Sequence, residues 1–250
     1  MCSSDLLLAA ALLLSACDDF AQVQKEDSIE AWEQWLSQNP DAGSKTATAK
    51  LRLEELYVEK ARLRGTLEDR DAYLLRYPKG KYRDEIKKAR EDALFQEAED
   101  AGTVDGWKHF LSLCPDAGRR LDLARAGLKA AEYAPNLKIG EVRVEPVNLA
   151  EDPKGPKDGV GFFADVTNAG PSTLTLLWFN LHLLDANGLV VGRKDGPLVA
   201  PQAASRLPIA EKDRVPMKPG ETRTFTFTTG ALPEGFANKV KLIPARLGTE

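Results

Sequence analysis

The sequence predicts a multidomain α + β protein, a helical repeat followed by an antiparallel β-sandwich. Three observations carry that reading. Residues 26–134 are rich in Ala, Leu, Glu, Lys and Arg, with Gly and Pro confined to punctuation. Within that stretch one spacing of capping residue, aromatic and proline recurs three times. Past Pro135 the texture changes to Val, Thr, Phe and Pro in short alternating runs.

The chain opens on an apolar run, Leu6 to Leu14, that contains no polar residue. It is far shorter than the roughly 20 residues a membrane-spanning helix needs. Its length is that of a signal-peptide core. The run closes on Leu14, Ser15, Ala16 and Cys17, just ahead of the acidic pair Asp18 and Asp19. This Leu-small-small-Cys ending resembles the lipobox of bacterial lipoprotein signal peptides. The resemblance implies that the Cys17 thiol takes a diacylglycerol, that residues 1–16 are cut away, and that 17–25 form a lipidated tether. It implies a protein anchored in the bacterial envelope and facing the periplasm. By the sorting rule of enterobacteria-like groups, Asp18 favours the inner membrane over the outer. Residues 1–5 carry an acid and no base, unlike the cationic start of a signal peptide. Residues 1–6 read instead as a translated sequencing adaptor, so Cys2 carries no functional weight.

Composition bounds the body of the chain. With 43% hydrophobic residues it can bury real cores and is not a disordered chain. The net charge is −4, its bases and acids are interspersed, and no basic stripe points to nucleic acid. With Cys2 and Cys17 set aside, Cys114 is the one remaining cysteine, so the mature chain holds no intramolecular disulfide. Beside Pro115 at a helix end, Cys114 reads as a small buried hydrophobe.

The helical part is expected over 26–135, in units of about 28–64, 66–101 and 103–134. Pro40, Pro78 and Pro115 lie 38 and 37 residues apart. Aligned on them are Trp35, Tyr73 and Phe110, then Leu36, Leu74 and Leu111, then Gly43, Gly80 and Gly118. Ile29, Leu67 and Val104 align further back, each preceded by Ser28, Thr66 or Thr103. A hydroxyl there is an N-cap, accepting from an orphan backbone N–H. Thr66 with Asp69 approximates a capping box. Ile29, Trp32 and Leu36 give the spacing of a buried stripe, and the proline ends the helix because it lacks a donor. Leu53, Leu56, Tyr57 and Ala61 form the stripe of the next helix, with Ala98 in the place of Ala61 one unit on. The pattern resembles tetratricopeptide-like repeats, most closely at Tyr73 to Gly80, and those of the lipoprotein subunit of the β-barrel assembly machinery. The period is longer than the 34 of standard repeats, and their Trp-Leu-Gly-Tyr signature is absent. The resemblance implies a protein or peptide partner. Trp32, Arg70 and Trp107 share one column and suit either a partner-binding groove or, for the tryptophans, the core.

The second domain is expected over 136–250. Strands are expected at Ile139–Val147, Val160–Asn168, Leu174–Leu184, Leu189–Gly192, Thr222–Thr229 and Lys239–Leu247. In the third, Leu177, Phe179, Leu181 and Leu183 take one face and Trp178, Asn180 and His182 the other. Turns are marked at Asp185 to Gly188 and at Pro219 and Gly220. Such spacing suggests an immunoglobulin-like sandwich. Ala164–Asn168 and Leu183–Gly188 resemble segments of bacterial FxLYD-type sandwich domains, with Leu184 where that family prefers tyrosine.

Motifs that carry chemistry are missing. His109 and His182 lie in different domains, and neither sits at metal-ligand spacing. No phosphate loop, nucleophile elbow or Cys-x-x-Cys occurs. The expectation is a non-catalytic protein-interaction or assembly adaptor, with no metal, no nucleic acid and no cofactor beyond the lipid on Cys17. A structural spacer between membrane and cell wall is the alternative. A small-ligand-binding lipoprotein or a hydrolase is more remote.

Overall fold

A computed structural model describes residues 19–149, 156–201 and 209–250. The apolar run, Leu14, Ser15, Ala16, Cys17 and Asp18 lie outside the described residues. The order is helices first, then antiparallel strands in two sheets. The helices are α1 (Asp19–Glu26), α2 (Ile29–Gln38), α3 (Ser44–Leu63), α4 (Leu67–Arg76), α5 (Arg83–Ala101), α6 (Val104–Leu113) and α7 (Arg119–Tyr133). The strands are β1 (Leu137–Ile139), β2 (Arg143–Val147), β3 (Gly159–Asn168), β4 (Leu174–Leu184), β5 (Val190–Val199), β6 (Thr222–Thr229) and β7 (Lys239–Thr249). A short α8 (Glu211–Arg214) precedes β6.

The repeat is visible atom by atom at its caps. The side chains of Ser28, Thr66 and Thr103 each accept from the backbone N–H three residues on, at Ala31, Asp69 and Gly106. Thr66 departs from a capping box, because its hydroxyl also donates to the Asp69 carboxylate at 2.7 Å. The aligned aromatics Trp35, Tyr73 and Phe110 are all buried. Ala61 and Ala98 are buried too, and Cys114 is interior as expected. The aligned glycines do not share one role. Gly43 and Gly118 have positive φ, 62° and 53°. Gly80 is needed for close approach, since a Cβ there would stand 2.5 Å from the Tyr73 hydroxyl.

The stretch expected as tether is helix from Asp19 onward. Phe20 packs edge-on against Trp32 and Trp35, with ring centroids 5.6 and 4.8 Å away. Val23, one turn later, joins the same cluster with Ala49 and Leu53. The i, i+3 pair Phe20 and Val23 gives α1 an apolar edge that its charged composition conceals.

Contacts divide the chain into two compact units, one running to Ala93 and the other spanning Leu94–Glu250. The division falls inside α5, not at the change of texture at Pro135, where helix gives way to strand. The second unit therefore holds the third helix pair as well as the strands. Ala130 and Tyr133 of α7 pack with Leu137, Phe162 and Leu174 in the sandwich core.

In one sheet β3 pairs with β6 along one side, and with β1 and β2 in succession along the other. The expected strand at 139–147 is thus two strands, broken at Gly140, whose N–H still donates to Asp165. The second sheet has the order β5-β4-β7. Its β5 runs to Val199, well past the Gly192 expected, through the charged run Arg193 to Asp195 and through Pro197. An edge strand tolerates both, because its outer side needs no partner. The face-to-face core takes Leu177, Phe179, Leu181 and Leu183 from β4, all fully buried, with Phe162 and Phe225 opposite.

Candidate functional site

The outer face of the β5-β4-β7 sheet is not the bland solvent face that alternation alone suggests. Strand pairing lays out three rows across it. His182 stands between Arg193 and Lys241, Asn180 between Asp195 and Ile243, and Trp178 between Pro197 and Arg246. The end of α5 adds Glu99 and Asp100. Glu99 joins Asn180, His182, Arg193, Asp195 and Arg246 around a cavity of about 180 Å³.

Several of these side chains are held by specific contacts. Arg193 forks onto Asp100, with Nε donating to Oδ1 at 2.8 Å and the second arm to Oδ2. Gln96 also donates to Asp100 Oδ1, at 2.9 Å. Trp178 Nε1 donates to Asp195 Oδ2 at 2.7 Å, and the Arg246 guanidinium lies 5.0 Å above the indole. His182 is 2% exposed, yet its Nε2 has no hydrogen-bond partner among the described residues. The nearest acceptor is Asp100 Oδ1, 3.5 Å away.

The electrostatics follow from burial and from the neighbours. Burial lowers the His182 imidazole below its ordinary value. The Asp100 carboxylate opposes that shift, while Arg193 and Lys241 add to it. For Asp100, burial pushes the carboxyl up, but the hydrogen bond and charge of Arg193, with help from Gln96 and His182, bring it below its usual range. The result is a neutral imidazole beside a paired carboxylate. Such a surface can recognise charge and accept or donate hydrogen bonds.

The residues singled out in the sequence lie elsewhere. Trp32 is 2% exposed within the first unit, its Nε1 donating to Asp27 at 2.9 Å. Arg70 is half-buried in that same unit. Trp107 is 3% exposed in the second unit, against Phe95 and over Gly127, where any Cβ would strike the indole. Both tryptophans pack into cores, Trp107 within the second unit, while Trp32 also lines a cavity of about 250 Å³ with Gln24, Asp27, Thr48 and Arg52. Sequence reasoning missed the His182 and Asp100 juxtaposition, which joins residues 82 apart through tertiary packing. One signal was available: Trp178, Asn180 and His182 on a single strand face are unusual company for a face left to water. Among the described residues no group of His, Cys, Asp or Glu is arranged to hold a metal ion.

No family model and no curated protein matches the chain. Two solved structures show the level of similarity found. A Northeast Structural Genomics Consortium target, SoR45, is 13% identical over 46% of this chain and 86% of its own, with a TM-score of 0.23. Pseudomonas fluorescens alkylpurine DNA glycosylase AlkC, bound to DNA containing an abasic site analog, is 15% identical, with a TM-score of 0.28. That match covers 92% of this chain and 53% of the glycosylase, so the chain spans about half that enzyme's length.

Proposed function

We propose that this chain is a membrane-anchored bacterial envelope lipoprotein, lipidated at Cys17, that acts as a non-catalytic interaction or assembly adaptor. The recurrence of one helix pair carries the adaptor half of this reading. Three times a hydroxyl cap starts the first helix, a buried aromatic anchors it, and a turn leads into its partner. Stacked helix pairs of this kind present extended surfaces rather than enclosed reaction chambers. That recurrence supports tetratricopeptide-like character, and the two packed sheets of the second unit are compatible with an FxLYD-like domain. The Leu-small-small-Cys motif supports the anchor, and Asp18 supports the inner membrane. Among the described residues no helix is long and apolar enough to cross a bilayer. The membrane, through the lipid, and an envelope protein are the partners in this reading; nucleic acid, metal and an enzymatic reaction have no part in it.

With Trp32 and Trp107 interior, the contact surface of the first unit is better sought among its exposed leucines. Leu51 is 66% exposed, and Leu63 and Leu75 are each 86% exposed. Crosslinking in living cells from a tagged copy tests this. Loss of a specific crosslink in a Leu51→Glu, Leu63→Glu, Leu75→Glu variant that still fractionates with membranes supports the adaptor. The second reading is a spacer between membrane and wall, which the interior packing of Trp107 supports. A spacer predicts that the triple variant complements a deletion fully and that an unrelated module of equal length does so too.

A further inference from the structure

We propose that the cavity on the outer face of the β5-β4-β7 sheet binds a small zwitterion, of the size and charge pattern of a free α-amino acid. This inference concerns the second unit alone and stands or falls independently of the lipid anchor and the adaptor role.

The cavity has a polar floor whose hydrogen-bonding capacity is unspent. His182 Nε2 is buried without a hydrogen-bond partner among the described residues. Beside it on β4 the Asn180 side chain makes no hydrogen bond to any described residue. A buried group such as Nε2 is costly to leave unpaired, a cost that a ligand or ordered solvent would offset, while the half-buried Asn180 amide is free to bond what enters.

The walls supply both signs of charge. Arg246 lies over Trp178, its Cζ 5.0 Å from the ring centroid, and has no carboxylate partner among the described residues. A guanidinium held over an aromatic ring can still offer its fork to a planar carboxylate. Lys194 borders the same space through its place on the edge strand, but its pairing with Leu181 turns its side chain to the other face of the sheet, so it adds no receptor charge. On the acidic side stand Glu99 and Asp195, the latter with only one oxygen taken up by the Trp178 indole. Arg193 is committed to Asp100 and serves as a wall rather than a receptor.

Charge and size together narrow the ligand. A simple anion would meet Glu99 and Asp195, and a simple amine would meet Arg246. A molecule carrying a carboxylate and an ammonium satisfies both sides. At about 180 Å³ the space has room for a ligand of amino-acid size.

Isothermal titration of the full chain tests the proposal, with the twenty common L-amino acids and D-alanine as probes. Propionate and propylamine report the two charges separately, and inorganic phosphate reports a general anion site. At least one amino acid should bind at millimolar concentration or better, and at least tenfold more tightly than propionate, propylamine or phosphate. Arg246→Met, which keeps the stem over Trp178, should weaken it at least tenfold with little change in melting temperature. Asn180→Ala provides a second variant should the first fail to fold. The proposal is overturned if no amino acid titrates, if phosphate or one of the single-charge fragments binds as well, or if folded Arg246→Met binds unchanged.

Discussion

His182 charges at a cost. Burial favours its neutral form, so the unfolded chain takes up a proton that the folded chain resists. Its stabilising contribution is therefore present above the ordinary histidine value of 6.5 and is lost as pH falls through the lowered folded value. Asp100 is also held low, but its loss begins only below the ordinary carboxylate value of 3.8, so the two windows separate. Melting temperature should fall more steeply from neutrality to about pH 5 in the native chain than in His182→Gln. Parallel curves would mean the imidazole titrates freely. Interior tryptophans carry a different signature. Trp32→Ala and Trp107→Ala should each cost about 3–5 kcal/mol in urea unfolding, the size expected when a large core side chain is removed. Effects below about 1 kcal/mol would return them to the surface.

At the scale of elements, the caps and α1 make separable predictions. Ser28→Ala, Thr66→Ala and Thr103→Ala should each cost about 1 kcal/mol, read from denaturant midpoints, since each removes one side-chain acceptor from a helix start. Helix α1 is anchored chiefly through Phe20, with Val23 beside it. Phe20→Ala should free it from Trp32 and Trp35, visible as faster tryptic cleavage after Lys25 under native conditions. The same elements show what the sequence made legible. Helix starts were readable because a hydroxyl before an apolar residue is a local signal, and β4 and β6 because their alternation is local too. Strand β5 was cut short because Arg193 to Asp195 and Pro197 look like loop until the strand is known to be an edge. Helix α1 was hidden because its apolar edge is two residues wide. None of the cavity's assembly was readable, since it depends on the end of α5 meeting a face of β4 about eighty residues later.

At the scale of the whole molecule, the boundary inside α5 separates compactness from composition. A fragment of residues 94–250 should fold with a higher melting temperature than one of 136–250. The shorter piece loses Ala130 and Tyr133 from the sandwich core, together with the Tyr133 hydroxyl that donates to the buried Asn168 amide at 2.9 Å. Equal stability would make Pro135 the true boundary. Membrane association is tested by Cys17→Ser, which should move the protein from the membrane fraction to the soluble one. The packing of α1 then sets the leash. Asp19 is already helical, two residues past the cysteine, and two residues of extended chain reach no more than about 7 Å. That is less than the ~10 Å width of the helix itself. With Cys17 acylated as proposed, the first unit would have no slack with which to rise from the headgroups. It would search for partners by sliding in two dimensions along the bilayer, and neighbours held in that same plane would be met far more often than anything adrift beyond it.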